Sequence, residues 1–286
     1  MSDDTQWDIK PIQQEVLKIF KAFASVCKRH GLRYFAAYGT ALGAVRHSGF
    51  IPWDDDFDVV MPRPDFMRLV DVIESELPVG LHFKRGGEGF PSPIYFAHIV
   101  NDSVGLIDEL SRKSQLDLEI GPYIDIFVLD GIPDDLSGLP SWVRSRKYVR
   151  MCQMYRYPET VANRKGFSKL RSILGRVLGF FVSWNYKSTK DNKEMMKVMD
   201  SIFNCWPYDR SRSVVEYMFF RNKSSRIIPR SMFGEGRMVP FCDTEICVPS
   251  GVEMILEQYY GDYLTYPPEK DRKPPHIMKL LYEGHV

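Results

Sequence analysis

The chain has 286 residues, with 38 Lys+Arg against 37 Asp+Glu and hydrophobic residues at 44%. That length suits one large domain, or one domain with an appendage, and the charged fraction of 26% and aromatic fraction of 13% exclude a disordered or collagen-like chain. The near-neutral total hides unlike parts: residues 141–190 hold 12 Lys/Arg and one acid (Glu159), whereas residues 1–140 hold 13 bases and 22 acids.

The polar, acidic start Met1-Ser2-Asp3-Asp4 is not the basic and then apolar opening of a secretory signal. No apolar stretch reaches the roughly 18–20 residues that span a bilayer; the nearest, 170–184, is interrupted by Arg171 and Arg176. The five cysteines show no zinc-site spacing, so reduced thiols in a cytoplasmic protein are expected.

Residues 9–30 place Ile12, Val16, Ile19, Phe20, Phe23 and Cys27 at helical spacing, with Gly31 as the stop. Residues 33–38 read as a buried strand ending at Gly39, followed by a short helix over 40–47. After the loop 48–52 comes a second strand, 57–61, and Pro64 suits the first turn of a helix over 65–76. A glycine-rich loop at 86–89 precedes strands at 93–100 and 123–129. The pattern is helical and basic over 141–217. A hairpin (238–241 with 245–248), a helix over Val252–Tyr260 and an extended Pro-rich tail follow. This order predicts an α+β fold, a mixed sheet flanked by helices with a basic helical insertion. The expected division is 1–135 as catalytic core, 136–235 as insertion, and 236–286 as hairpin, helix and tail packing back on the core.

The most informative stretch runs from Gly39-Thr40 through Arg46-His47 to Trp53-Asp54-Asp55-Asp56-Phe57-Asp58. Alternate strand residues face the same way, so Asp56 and Asp58 point together, with Asp54 one step earlier in the turn. Ionised carboxylates this close repel. A hard cation compensates them, since Mg²⁺ takes one or two carboxylates together with substrate phosphate oxygens. One or two Mg²⁺ ions, or Mn²⁺, are the expected cofactor. A solvated acidic turn is the plain alternative, opposed by the apolar neighbours Phe50, Ile51, Trp53, Phe57, Val59 and Val60. An EF-hand loop is excluded, because Val59 stands where glycine is required and Asp65 where glutamate is.

Asp125 lies between Ile124 and Ile126 in an apolar strand, where an unpaired acid is costly. It reads as a metal ligand, a catalytic base, or a turn cap at a strand end. The Gly39-Thr40 turn can present backbone N–H groups at a helix N-terminus to phosphate oxygens. Arg46 and His47 add positive charge nearby, unless they are ordinary surface residues.

These residues resemble the signature of the LicD family, the bacterial cholinephosphotransferases related to fukutin and fukutin-related protein. The match runs from Tyr34 to Asp58, and is joined by Ile124-Asp125-Ile126-Phe127-Val128-Leu129-Asp130-Gly131 and by Tyr259-Tyr260-Gly261-Asp262-Tyr263 with Pro267-Pro268 beyond. The chain departs from the pattern at Tyr38, where the family commonly has a second glycine, and at Ala41, where leucine is usual.

The resemblance implies a nucleotidyltransferase-like fold and transfer of a phospho-alcohol, often phosphocholine, from a CDP-linked donor to a glycan hydroxyl with release of CMP. Carried over by position, Gly39 and Thr40 form the phosphate-facing turn, Asp56 and Asp58 the metal pair, and Asp125 the third acid. Asp54 joins them as support or a further ligand, Arg46 stabilises phosphate charge, and His47 and Trp53 complete the donor site. A choline group would call for an aromatic cage, for which Trp53, Tyr95, Tyr123 and Phe127 are candidate walls. Asp271, Arg272, Lys273 and His276 of the tail are within reach of the donor in this reading, or belong to a docked extension.

The basic stretch 141–190 admits three readings: peripheral contact with an anionic membrane or lipid-linked glycan at its inner face, a solvated helical face against the acidic core, or, more weakly, nucleic-acid binding. Two other functions use the same fold, an NTP-dependent nucleotidyltransferase acting on a small molecule and a non-catalytic scaffold. Three acids brought together speak against the scaffold.

Overall fold

Helix α1 (Lys10–His30) buries the predicted stripe Ile12, Val16, Ile19, Phe20, Phe23 and Cys27, with Val26 added, and ends at Gly31 in the left-handed conformation (φ +59°). The computed structural model describes residues 9–85, 96–108, 121–134, 197, 200, 201, 203–217, 227–274 and 278–281. In chain order α1 is followed by β1 (Phe35–Ala36), α2 (Tyr38–His47), β2 (Asp58–Pro62), α3 (Arg63–Glu76), β3 (Leu81–Arg85), β4 (Ala97–Asn101), β5 (Gly105–Asp108) and β6 (Tyr123–Ile132). Next come β7 (Ser213–Glu216), β8 (Ile228–Pro229), β9 (Arg237–Phe241), β10 (Thr244–Val248), α4 (Val252–Tyr260) and β11 (Met278–Leu281).

Among the described residues the main sheet runs β1-β2-β6-β4-β3, and β7 and β8 extend it. It is mixed: β2 and β6 are parallel, and the other pairings are antiparallel. The ten-residue strand β6 is the organiser. One edge takes β2 over 125–129, and the other takes β4 over 123–126 and then β7 over 129–132. Helices α1–α4 flank the sheet, as the α+β expectation required.

Both sheet faces are covered, which explains the near-continuous apolar runs of β2 and β6. Val59, Met61, Ile124, Ile126 and Val128 face the core under α1 and α3. Val60, Phe127 and Leu129 face a second cluster with Phe35, Val214, Phe233 and Ile255. By the same alternation Asp58 and Asp125 belong to the second face, at the end where β2 begins.

At the far end of β2, Arg63 (3% exposed) donates to both oxygens of Asp130 at 2.7 and 2.6 Å, and to Asp200 at 2.7 Å. Asp200 also accepts from Arg85 at 2.6 Å. Burial raises the Asp130 carboxyl to about 6 even against Arg63. This network fastens the residues around 200 to the core.

Several elements differ from expectation. Strand 33–38 is only two residues long, because α2 starts at Tyr38 rather than Thr40. Residues 213–216, expected to be helical, form β7, since the long β6 offers them a sheet edge. The tail, expected to be extended, carries a 3-10 turn at Glu269–Asp271, and Met278–Leu281 pairs with β5. The hairpin β9–β10 and helix α4 fall where the sequence placed them. The glycine-rich loop, the region 141–190 and Tyr95 lie outside the described residues. No helix among the described residues is long and apolar enough to cross a membrane.

Candidate active site

Asp58 opens β2 directly opposite Asp125 on β6. Its backbone is held on both sides: its N–H donates to Thr40 Oγ1 at 2.8 Å, and its carbonyl accepts from Ala37 N–H at 3.0 Å. The Asp125 N–H donates to the Phe57 carbonyl at 2.8 Å, so the two acids share a rigid frame. Asp54 and Asp56 approach from the preceding loop. A Cβ built on Gly39 would lie 2.5 Å from Asp54 Oδ2 and 3.8 Å from Asp56 Oδ1, so only glycine leaves room for these carboxylates beside the start of α2. Gln13 of α1 pins the loop by donating to the carbonyls of Asp54 (2.8 Å) and Ile51 (3.3 Å).

The electrostatics follow from this crowding. Asp58 is 7% exposed, and its carboxyl is held well above the usual range by burial first, then by Asp56, Asp125 and Asp54. Three neighbouring carboxylates thus bear on one buried acid. The positive end of the α2 dipole offsets part of that charge. Carboxylates alone suit a hard divalent cation, so the donor chemistry fits the expected metal. Among the described residues, however, no three His, Cys, Asp or Glu side chains close on one ion position. The acids are gathered without being drawn to a single point.

Thr40 is 4% exposed, and its hydroxyl accepts from the Asp58 N–H, so its side chain braces the acid strand. Arg46 and His47 form a separate group at the C-terminal end of α2. Arg46 donates through Nη1 to the Tyr263 carbonyl at 2.8 Å and through Nε to His47 Nε2 at 3.0 Å, and stacks over Tyr266 at 4.7 Å. Trp53 joins that group through His47 and Tyr266, with ring centroids 6.5 and 6.1 Å away.

The cage candidates separate. Phe127 is only 3% exposed, packed between Tyr38 (5.5 Å) and Phe96 (4.4 Å), and so is core. Tyr123 is half-buried against His98 at 5.2 Å. Tail residue Arg272 does reach the site's aromatic side, over Trp53 at 5.6 Å; His276 is outside the described residues.

Sequence reasoning passed over His98. It faces Asp125 across β4–β6, with Nδ1 2.5 Å from Asp125 Oδ1, and is 3% exposed between the rings of Phe96 and Tyr123. A histidine between Ala97 and Ile99 in an apolar strand was the available signal. Only the register shows which acid it serves.

Acids on neighbouring parallel strands, beside a glycine near the start of a helix, are the arrangement expected of a nucleotidyltransferase-like site. Residues 31–87 match the family model described as LicD/FKTN/FKRP, nucleotidyltransferase domain. The chain is 28% identical over 264 residues to the lipopolysaccharide cholinephosphotransferase LicD of Haemophilus influenzae, covering 92% of this chain and 94% of that one. The resemblance read from the motif therefore holds: the chain is similar to LicD-family proteins over 31–87 and to this cholinephosphotransferase along most of its length. Shorter matches reach uncharacterized proteins of Rickettsia typhi (30% identical over 68 residues, 24% of this chain and 22% of that one) and Rickettsia prowazekii (34% over 56 residues, 20% and 21%).

Proposed function

We propose that the chain moves a phospho-alcohol, phosphocholine first, from a CDP-linked donor to a hydroxyl of a cell-surface glycan and releases CMP. The observation that carries this reading is the gathering of Asp54, Asp56 and Asp125 around Asp58, in a chain that aligns along nearly its whole length with a cholinephosphotransferase. The relative's name makes a lipopolysaccharide-type glycan the first acceptor to try.

Asp56, Asp58 and Asp125, with Asp54, are the residues that would hold Mg²⁺. When bound, the ion supplies charge neutralisation for the donor's diphosphate. Asp125 accepts the proton of the attacking hydroxyl, and His98 beside it fixes the carboxylate's direction. The acceptor oxygen bonds to the choline-bearing phosphorus while the bond from that phosphorus to the CMP oxygen breaks, in line. Gly39 leaves space for the acids, and Thr40 holds Asp58 in place.

Purified protein incubated with CDP-choline, Mg²⁺ and a lipopolysaccharide acceptor should release CMP and leave phosphocholine on the glycan. A panel of CDP-alcohols identifies the group transferred. A nucleotide on the acceptor, with pyrophosphate released, would move the assignment to the NTP-dependent reading. Full turnover by Asp58→Ala at saturating acceptor would refute the metal role. The charge of residues 141–190 supports work at an anionic membrane face from the cytoplasmic side, to be tested by flotation with liposomes of differing anionic-lipid content.

A further inference from the structure

The tail brings a second cation to the site's edge. Arg272 lies 5.4 Å from the centroid of Tyr266, whose ring also carries Arg46 at 4.7 Å, which caps the separation of the two charges at about a Debye length. Both are held from the tail itself. Arg272 Nε donates to the Pro267 carbonyl at 2.9 Å, and Arg46 Nη1 to that of Tyr263. Neither guanidinium pairs with a carboxylate among the described residues, and Nη2 of Arg46 and both Nη groups of Arg272 keep unspent donors. His47, between Arg46 and Tyr266, receives the Arg46 Nε–H, so it adds no negative charge to offset them.

Two neighbouring cations without a counter-ion, their forks pre-oriented on aromatic faces, match a phosphate group. Their place is defined by Trp53, which touches Arg272 and directly precedes Asp54 of the acid cluster. We propose that Arg272, delivered by the segment 263–272, forms with Arg46 an anion site that binds a phosphate of the nucleotide donor without help from a metal. The ligand class rests on the function proposed above; the site itself rests on the packing of the tail.

The test is calorimetric titration of the full chain with CMP and with inorganic pyrophosphate, in EDTA, so that no metal ion can bridge the acids to the ligand. Wild type should bind both. Arg272→Ala should weaken binding about tenfold or more, as loss of a charge-assisted contact predicts, and Arg272→Lys should recover part of it. Arg272 is exposed, so a thermal melt of Arg272→Ala matching wild type certifies the fold. Absence of binding by wild type, or equal binding by Arg272→Ala, overturns the proposal. Loss of vesicle binding in Arg272→Ala, using phosphatidylglycerol liposomes, with nucleotide binding unchanged would assign the pair to a lipid phosphate and likewise overturn it. Because no turnover is measured, the result stands apart from the CMP-release assay, and either reading can fail alone.

Discussion

Asp58 and Asp125 share one rung of the parallel pair β2–β6 and one face of the sheet. Like charges directly opposite each other destabilise a sheet, and here the rung is also buried at one member and shadowed by Asp54 and Asp56. The frame that enforces this is local: Thr40 braces one acid, and the Phe57 carbonyl braces the other.

Without a cation, Asp58 therefore opposes folding. Asp58→Asn should raise the melting temperature in EDTA by about 2–4 °C, equivalent to about 1 kcal/mol, and erase the gain that Mg²⁺ gives wild type. A carboxyl whose folded pKa is raised contributes stability that is fully present below its unfolded pKa and lost as pH rises through the folded one. The advantage of Asp58→Asn should accordingly widen as pH rises from about 5 to about 7.5. Scanning fluorimetry across that range decides it, and a variant less stable than wild type in EDTA at neutral pH would contradict the account.

In the proposed mechanism His98 acts through Asp125 and not on substrate. His98→Gln should lower kcat about 10–100-fold while leaving KM for the donor nearly unchanged. Steady-state kinetics with a circular-dichroism melt separate this from simple unfolding. A rise in KM at unchanged kcat would mean that His98 serves binding instead.

Two glycines of α2 should fail in different ways. A Cβ at Gly43 would stand 2.5 Å from the Gly49 carbonyl oxygen and 3.1 Å from the Ile51 N, both backbone atoms that cannot step aside. Gly43→Ala should cost about 1–3 kcal/mol, read as a lower urea midpoint. At Gly39 the obstacle is the far end of the Asp54 side chain, which can turn away. Gly39→Ala should leave stability within about 1 kcal/mol and lower turnover at least about tenfold.

Tyr38 holds a positive φ of 44°, stacked on Tyr259 at 5.9 Å and edge-on to Phe127 at 5.5 Å. The family's usual glycine would adopt that backbone freely, so the ring contacts compensate a strain of about 1–2 kcal/mol. Tyr38→Ala loses the rings and keeps the strain, whereas Tyr38→Gly loses both. The glycine variant should thus be the more stable by about 1 kcal/mol, the reverse of the usual order in a helix. Urea denaturation of the two side by side is sufficient.

What the sequence disclosed depended on how local the cause was. Helix α1, the hairpin β9–β10 and helix α4 carry their own periodicity and their own glycine stops, and all were legible. Strand β7 was not, since Ser213-Val214-Val215-Glu216 is short and becomes a strand only because β6 outruns β4. In the site, the acids announced themselves by crowding within a few residues. His98 is joined to Asp125 by register, and Tyr266 to Arg46 by the packing of the tail, which no spacing along the chain encodes. That the Thr40 hydroxyl also braces Asp58 was not legible, because the two lie on different elements.

The Arg63 network has a consequence for the basic stretch. Strand β6 is paired into the sheet as far as Ile132, and Asp200 is gripped by Arg63 and Arg85, so the segment between these two anchors is fastened to the same folded body at both ends. A nick anywhere between them would leave two pieces that stay together. A surface that captures any of the 12 Lys/Arg of residues 141–190 captures the acids as well, and a longer or shorter segment would alter the cost of that tethering only slowly.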